Sequence, residues 1–108
     1  MVAIDGPEDI LAEQVIQGPR IFRSRSGSCR NCGQPGSETV HLVVTVGKNG
    51  RVRWIRSPRE WDHSGNPRIL AAAEEALREW SFQPAVTDKG LPADGWAEVD
   101  VPVEITAQ

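Results

Sequence analysis

Apolar and polar residues alternate with a period of two in three stretches of the chain, and one stretch repeats with the period of a helix. In "ETVHLVVTV", Val40, Leu42, Val44 and Val46 share one face, and His41, Val43 and Thr45 share the other. This period, with its β-branched content, predicts a half-buried strand. "GKNG" comes next, and Asn49-Gly50 is a pair that tolerates positive φ, so the chain is expected to turn back in a hairpin. "RVRWIRS" is then the return strand, with Val52 and Trp54 facing inward and Arg51 and Arg53 facing water. Ile55 breaks the alternation, which points to a bulge, and Pro58 ends the strand. The last alternating stretch, "WAEVDVPVEI", places Val99, Val101, Val103 and Ile105 on one face. Glu98, Asp100, Pro102 and Glu104 lie on the other.

Between the second and third strands, "HSGNPRILAAAEEALREW" carries a helix. Asn66 suits an N-cap, because its side chain can accept from first-turn amides. Pro67 suits the first helical position, where no donor is wasted. Ile69, Leu70, Ala73, Ala76, Leu77 and Trp80 recur at helical spacing and form one apolar face. Glu74 and Arg78 stand four apart in the favourable order. Pro84 disfavours helix at Gln83, so the helix should close between Trp80 and Phe82. "TDKGLPADG" is a turn-rich connection to the last strand.

The order strand, hairpin, strand, helix, strand has a simple solution. The third strand lies antiparallel beside the first, and the helix covers one face. The expected fold is therefore α+β, a three-stranded antiparallel sheet in the order two-one-three with one helix packed on it through Leu70, Ala73, Leu77 and Trp80. The second and third strands are its edges. Pro102 agrees, since a residue without an N–H belongs on an edge.

Length allows one domain, with 108 residues in all. Residues 1–37 read as an extension rich in Gly, Ser, Pro and Arg, and residues 38–106 as the folded unit. Within the extension, "PEDILAEQVI" is a candidate short helix, and "SRSGSCRNCGQPGS" is a loop by composition. The net charge is −3 with both signs dispersed, which is no nucleic-acid footprint. No apolar stretch approaches the length of a membrane span, and no secretory leader pattern opens the chain.

Candidate chemistry is sparse. Glu60, Asp62 and His63 lie together in "EWDH", but no nucleophile or oxyanion donor accompanies them, so an enzyme is not expected. Trp80 and Trp54 read as core, while Trp61 and Trp96 read as more exposed, at a rim or a partner surface. Arg51, Arg53 and Arg56 read as a charged strand face that blunts an edge, or as a surface for an acidic partner. Cys29 and Cys32 form a C-x-x-C. A zinc site with His41 and His63 is one reading of it and a reduced, inert pair another. A thioredoxin-like role would need a helix start in a βαβ context, which is not visible. No metal or cofactor is expected.

The ordered segments "VHLVVTVGKNGRVRWIRS", "GNPRILAAAEEALREWSFQPA" and "DKGLPADGWAEVDVPVEI" resemble the C-terminal domain of the TonB family of energy transducers. Arg78, Trp80, Phe82, Pro84 and Ala85 match the closing segment of that pattern. The resemblance spans about residues 38–106, with "PREWDH" as an insertion and the Cys loop in place of a Pro- and Ala-rich lead-in. The inner-membrane anchor and Pro-rich spacer of a full transducer are not in this chain, so a complete force-transmitting transducer is not expected, and whether the chain is a fragment of an inner-membrane-anchored protein stays open. The resemblance implies a periplasmic binding module in energy-coupled transport. It would engage an outer-membrane TonB-dependent transporter or another envelope protein by β-strand addition. The implied site is the free edge of the last strand: Val99, Asp100, Val101, Pro102, Val103, Glu104 and Ile105. A homodimer through the same edge is a competing outcome. The implied periplasmic setting also favours a Cys29–Cys32 disulfide. The alternative function is a metal- or redox-responsive envelope sensor using that pair.

Overall fold

The computed structural model describes residues 14–57 and 66–107. These residues form nine strands: β1 (Val15–Gln17), β2 (Arg20–Arg23), β3 (Gly27–Arg30), β4 (Gly36–Val46), β5 (Val52–Arg56), β6 (Ser81–Gln83), β7 (Ala85–Thr87), β8 (Pro92–Ala93) and β9 (Gly95–Thr106). The one helix among them, α1 (Pro67–Leu77), lies between β5 and β6. Strands make up 56% of the described residues, which decides the class as mostly β.

The expected α+β fold, a single three-stranded sheet with one helix on its face, is therefore corrected. There are three sheets, ordered β3-β9-β4-β5, β1-β7-β8 and β2-β6, and the four-stranded one curls into a half-barrel. The difference comes from residues 14–30. Their Gly, Ser and Arg content reads as loop, yet each short run finds a partner late in the chain. Val15 pairs with Thr87, Ile21 with Phe82, and Gly27–Arg30 runs parallel to Val103–Thr106. The candidate helix over "PEDILAEQVI" falls mostly outside the described residues, and its described end, Val15–Ile16, is in β1.

The β4–β9 ladder is the backbone of the fold. It runs antiparallel and in continuous register from Gly36 opposite Ile105 to Val46 opposite Gly95. Its inward row, Val40, Leu42, Val44 and Val46 against Val99, Val101, Val103 and Ile105, is buried. Helix α1 closes over it with Ile69, Ala72, Ala73, Ala76 and Leu77. Burying a residue such as Leu77 contributes about 1.5–3 kcal/mol. The small side chains let the backbones approach: a Cβ on Gly27 would sit 2.7 Å from the Ala72 carbonyl oxygen.

Local chemistry sets the helix ends. The Asn66 side chain accepts from the Arg68 amide at 3.0 Å, and Pro67 opens the first turn. The helix stops at Leu77, earlier than expected, because Ser81–Gln83 is drawn into β6. There the Phe82 amide donates to the Gly50 carbonyl at 2.9 Å. Trp80 and Phe82 are both buried, and the Trp80 indole donates to the Arg25 carbonyl at 2.8 Å. The "WSFQPA" segment thus ties helix, hairpin and N-terminal ribbon together.

The hairpin turns with positive φ at Gly50 alone; Asn49 instead uses its side chain to accept from the Arg51 amide at 3.0 Å. The Gly50 amide donates to the Gly47 carbonyl at 2.9 Å, the pattern of a type I turn followed by a left-handed glycine. The ladder then slips: Val46 faces Val52 and Thr45 faces Trp54, with Arg53 the extra residue. This bulge, two residues before Ile55, reverses the facing of the rest of β5. Ile55 turns toward the core, and Trp54, expected inside, is 65% exposed.

Candidate partner-binding edges

The half-barrel has two edge strands, β3 and β5, and they are built differently. The edge expected to receive a partner was the outer side of β9. From Val103 to Thr106 that side is paired with β3, and the Asn31 amide continues the contact to the Thr106 carbonyl at 2.7 Å. Of the seven proposed contact residues, Val99, Val101, Val103 and Ile105 point into the core, Asp100 and Glu104 are exposed on the opposite face, and Pro102 is half-buried. The expectation of a free Val99–Ile105 edge is thus corrected over Val103–Ile105. The pairing with β3 begins immediately after Pro102, as a residue lacking an N–H would dictate.

A clasp holds β3 in place. Cys29 and Cys32 are joined in a disulfide with Cα atoms 5.8 Å apart, and both are buried. The Asn66 amide nitrogen donates to the Cys32 carbonyl at 2.8 Å, and the Arg68 guanidinium to the carbonyls of Arg30 at 3.0 Å and Asn31 at 3.3 Å. The start of α1 therefore fastens the loop that the disulfide closes. With the sulfurs bonded to each other, the zinc reading lacks its thiolates. No cluster of three candidate metal ligands occurs among the described residues. His63 lies outside the described residues, as do Glu60, Trp61 and Asp62.

His41 sits on the outer face of β4. Its Nδ1 is 2.8 Å from Asp100 Oδ1 and its Nε2 is 3.3 Å from Glu98 Oε1. The Asp100 hydrogen bond, aided by the Glu98 charge and opposed by partial burial, raises its pKa above the ordinary 6.5.

The other edge is β5. Among the described residues its outer side meets only an isolated bridge from Arg51 to Ser81. Arg51, Arg53 and Arg56 are exposed, as the sequence suggests. Arg53 lies over the Trp54 ring at 5.1 Å and 3.7 Å from Asp94. Trp54 and Trp96, on β5 and β9, both stand opposite Thr45 and are 65% and 64% exposed. They border a shallow cleft whose lining includes Val43, Thr45, Ile55 and Arg56. Sequence reasoning found the arginines and the exposure of Trp96 but missed Trp54, since its direction depends on a one-residue slip. It also missed β3, whose buried–exposed alternation spans only four residues.

No helix among the described residues is long and apolar enough to cross a membrane. No protein-family model matches the chain, and no curated protein or solved structure matches it either.

Proposed function

We propose that this chain is a periplasmic binding module that engages an outer-membrane transporter or another envelope protein by β-strand addition, in the service of energy-coupled transport. The observation that carries the reading is the asymmetry of the half-barrel. One edge strand, β3, is packed against α1, whereas the outer side of β5 meets, among the described residues, only the Arg51–Ser81 bridge beside exposed Trp54. An unpaired strand edge is a template for another strand, with backbone bonds giving affinity and flanking pockets giving specificity. The site is accordingly the outer side of β5. The Cys29–Cys32 disulfide fits an oxidising compartment. The TonB-like order of motifs, with Arg78, Trp80, Phe82, Pro84 and Ala85 at the helix exit, supports the envelope setting.

The sensor reading is weaker. A redox-sensing cysteine is accessible, with a depressed thiol pKa. Cys29 and Cys32 are instead 7% and 5% exposed and packed in the core cluster. They act as a staple.

Amide exchange with and without a peptide derived from an outer-membrane transporter tests the proposal. New protection at Val52–Arg56 supports it. Protection confined to β3 or β9, or none with any transporter peptide, overturns it.

A further inference from the structure

The two edges differ in charge as well as in pairing. From Gly47 to Ser57 the chain carries Lys48, Arg51, Arg53 and Arg56 and no acid, although its net charge is −3. Arg53 leans toward Asp94 at 3.7 Å. Arg51 and Arg56 are exposed, with no ion pair among the described residues. A cationic strand at the open edge of an anionic molecule selects its partner by charge complementarity.

From this geometry we infer that the β5 edge takes an acidic extended segment, with a carboxylate opposite Arg56 and an apolar side chain against the exposed ring of Trp54. The inference rests on strand addition at β5. Trp54 and Arg56 share the outer face, because Thr45 and Val43 are their partners across the ladder. An added strand repeats that two-residue spacing, with directly opposed Cβ atoms about 5 Å apart. The partner signature is therefore an apolar residue and an acid two positions apart. Its acid meets a guanidinium, which binds carboxylates in a forked geometry. Its apolar side chain meets the Trp54 ring, which is 65% exposed. The same arginines disfavour a second copy at this edge, since two β5 strands side by side would oppose like charges.

Three peptides in which valine stands two positions from glutamate, glutamine or lysine, with threonine between, test this by calorimetry and amide exchange on the full chain. The glutamate peptide should protect Val52–Arg56 and bind about threefold more tightly than the glutamine peptide, the loss expected for one rim charge pair. The lysine peptide should not bind. Arg51→Gln with Arg56→Gln should abolish the difference between the glutamate and glutamine peptides while leaving the unfolding midpoint in place. Equal binding of glutamate and glutamine peptides overturns the acidic specificity and leaves strand addition standing. Absence of β5 protection with every peptide overturns both. A single-stranded oligonucleotide that protects the same residues as strongly as the glutamate peptide also overturns the inference.

Discussion

The β3 and β5 edges belong to one sheet, yet the first is packed against α1 and the second meets, among the described residues, only the Arg51–Ser81 bridge. β3 is short, but a disulfide, the start of α1 and a glycine packed against the helix backbone hold it. β5 is five residues long and carries arginines, a bulge and an exposed indole. Charge and a bulge are the usual means of discouraging indiscriminate pairing. The chain uses its own helix and disulfide to hold one edge, whereas among the described residues arginines and a bulge guard the other. Such protection admits a partner of the opposite sign.

The two edges should differ most at their tryptophans. Trp80 is buried, and its indole holds Arg25, which leads into β3. Trp80→Ala should cost about 3–5 kcal/mol. Trp54→Ala, on the open edge, should stay within about 0.5 kcal/mol. Urea unfolding of both variants decides the matter, and similar losses at the two sites would mean that the edges are not distinct.

Next comes the staple. Replacing Cys29 and Cys32 together by Ser should cost about 2 kcal/mol, the entropy of closing so short a loop. Loss of amide protection in Ser28–Arg30, with β4 and β9 intact, would locate that cost at the closed edge. Uniform loss across the sheet would contradict the picture of a locally fastened strand.

Gly27→Ala should cost about 1–2 kcal/mol by overpacking against Ala72. A variant as stable as the parent in thermal unfolding would show that β3 and α1 can separate without penalty.

The smallest effect is the pH response of His41, on the outer face between the two edges. Its folded pKa is raised, so the protonated ring favours the folded state. That stability is fully present below the unfolded value of 6.5 and is lost as pH rises through the higher folded value. His41→Gln should flatten the decline in unfolding free energy above pH 6.5. A decline that persists unchanged would assign it to other groups.

The elements whose signals are local and long are legible in the chain alone. The alternation of β4 and β9 specifies which valines face the core, because a strand buried on one face cannot slip without inverting every side chain. Asn66 and Pro67 set the start of α1 through chemistry confined to one turn. Arg51, Arg53 and Arg56 were legible as an exposed row, since charged side chains are rarely buried unpaired. Tertiary structure decided the rest. Gly27–Arg30 has no periodicity long enough to read, and it becomes a strand because β9 offers an edge, the disulfide closes the loop after it and Arg68 of α1 donates to the Arg30 carbonyl. Ser81–Gln83 leaves the helix because β2 and Gly50 supply backbone partners. Trp54 faces solvent because one extra residue at Arg53 turns it over, and a bulge is a property of two paired strands rather than of either one alone. The candidate site divides in the same way: its charges are written in the sequence. Its availability depends on which edge the remote N-terminal segment fills, and no local pattern encodes that pairing.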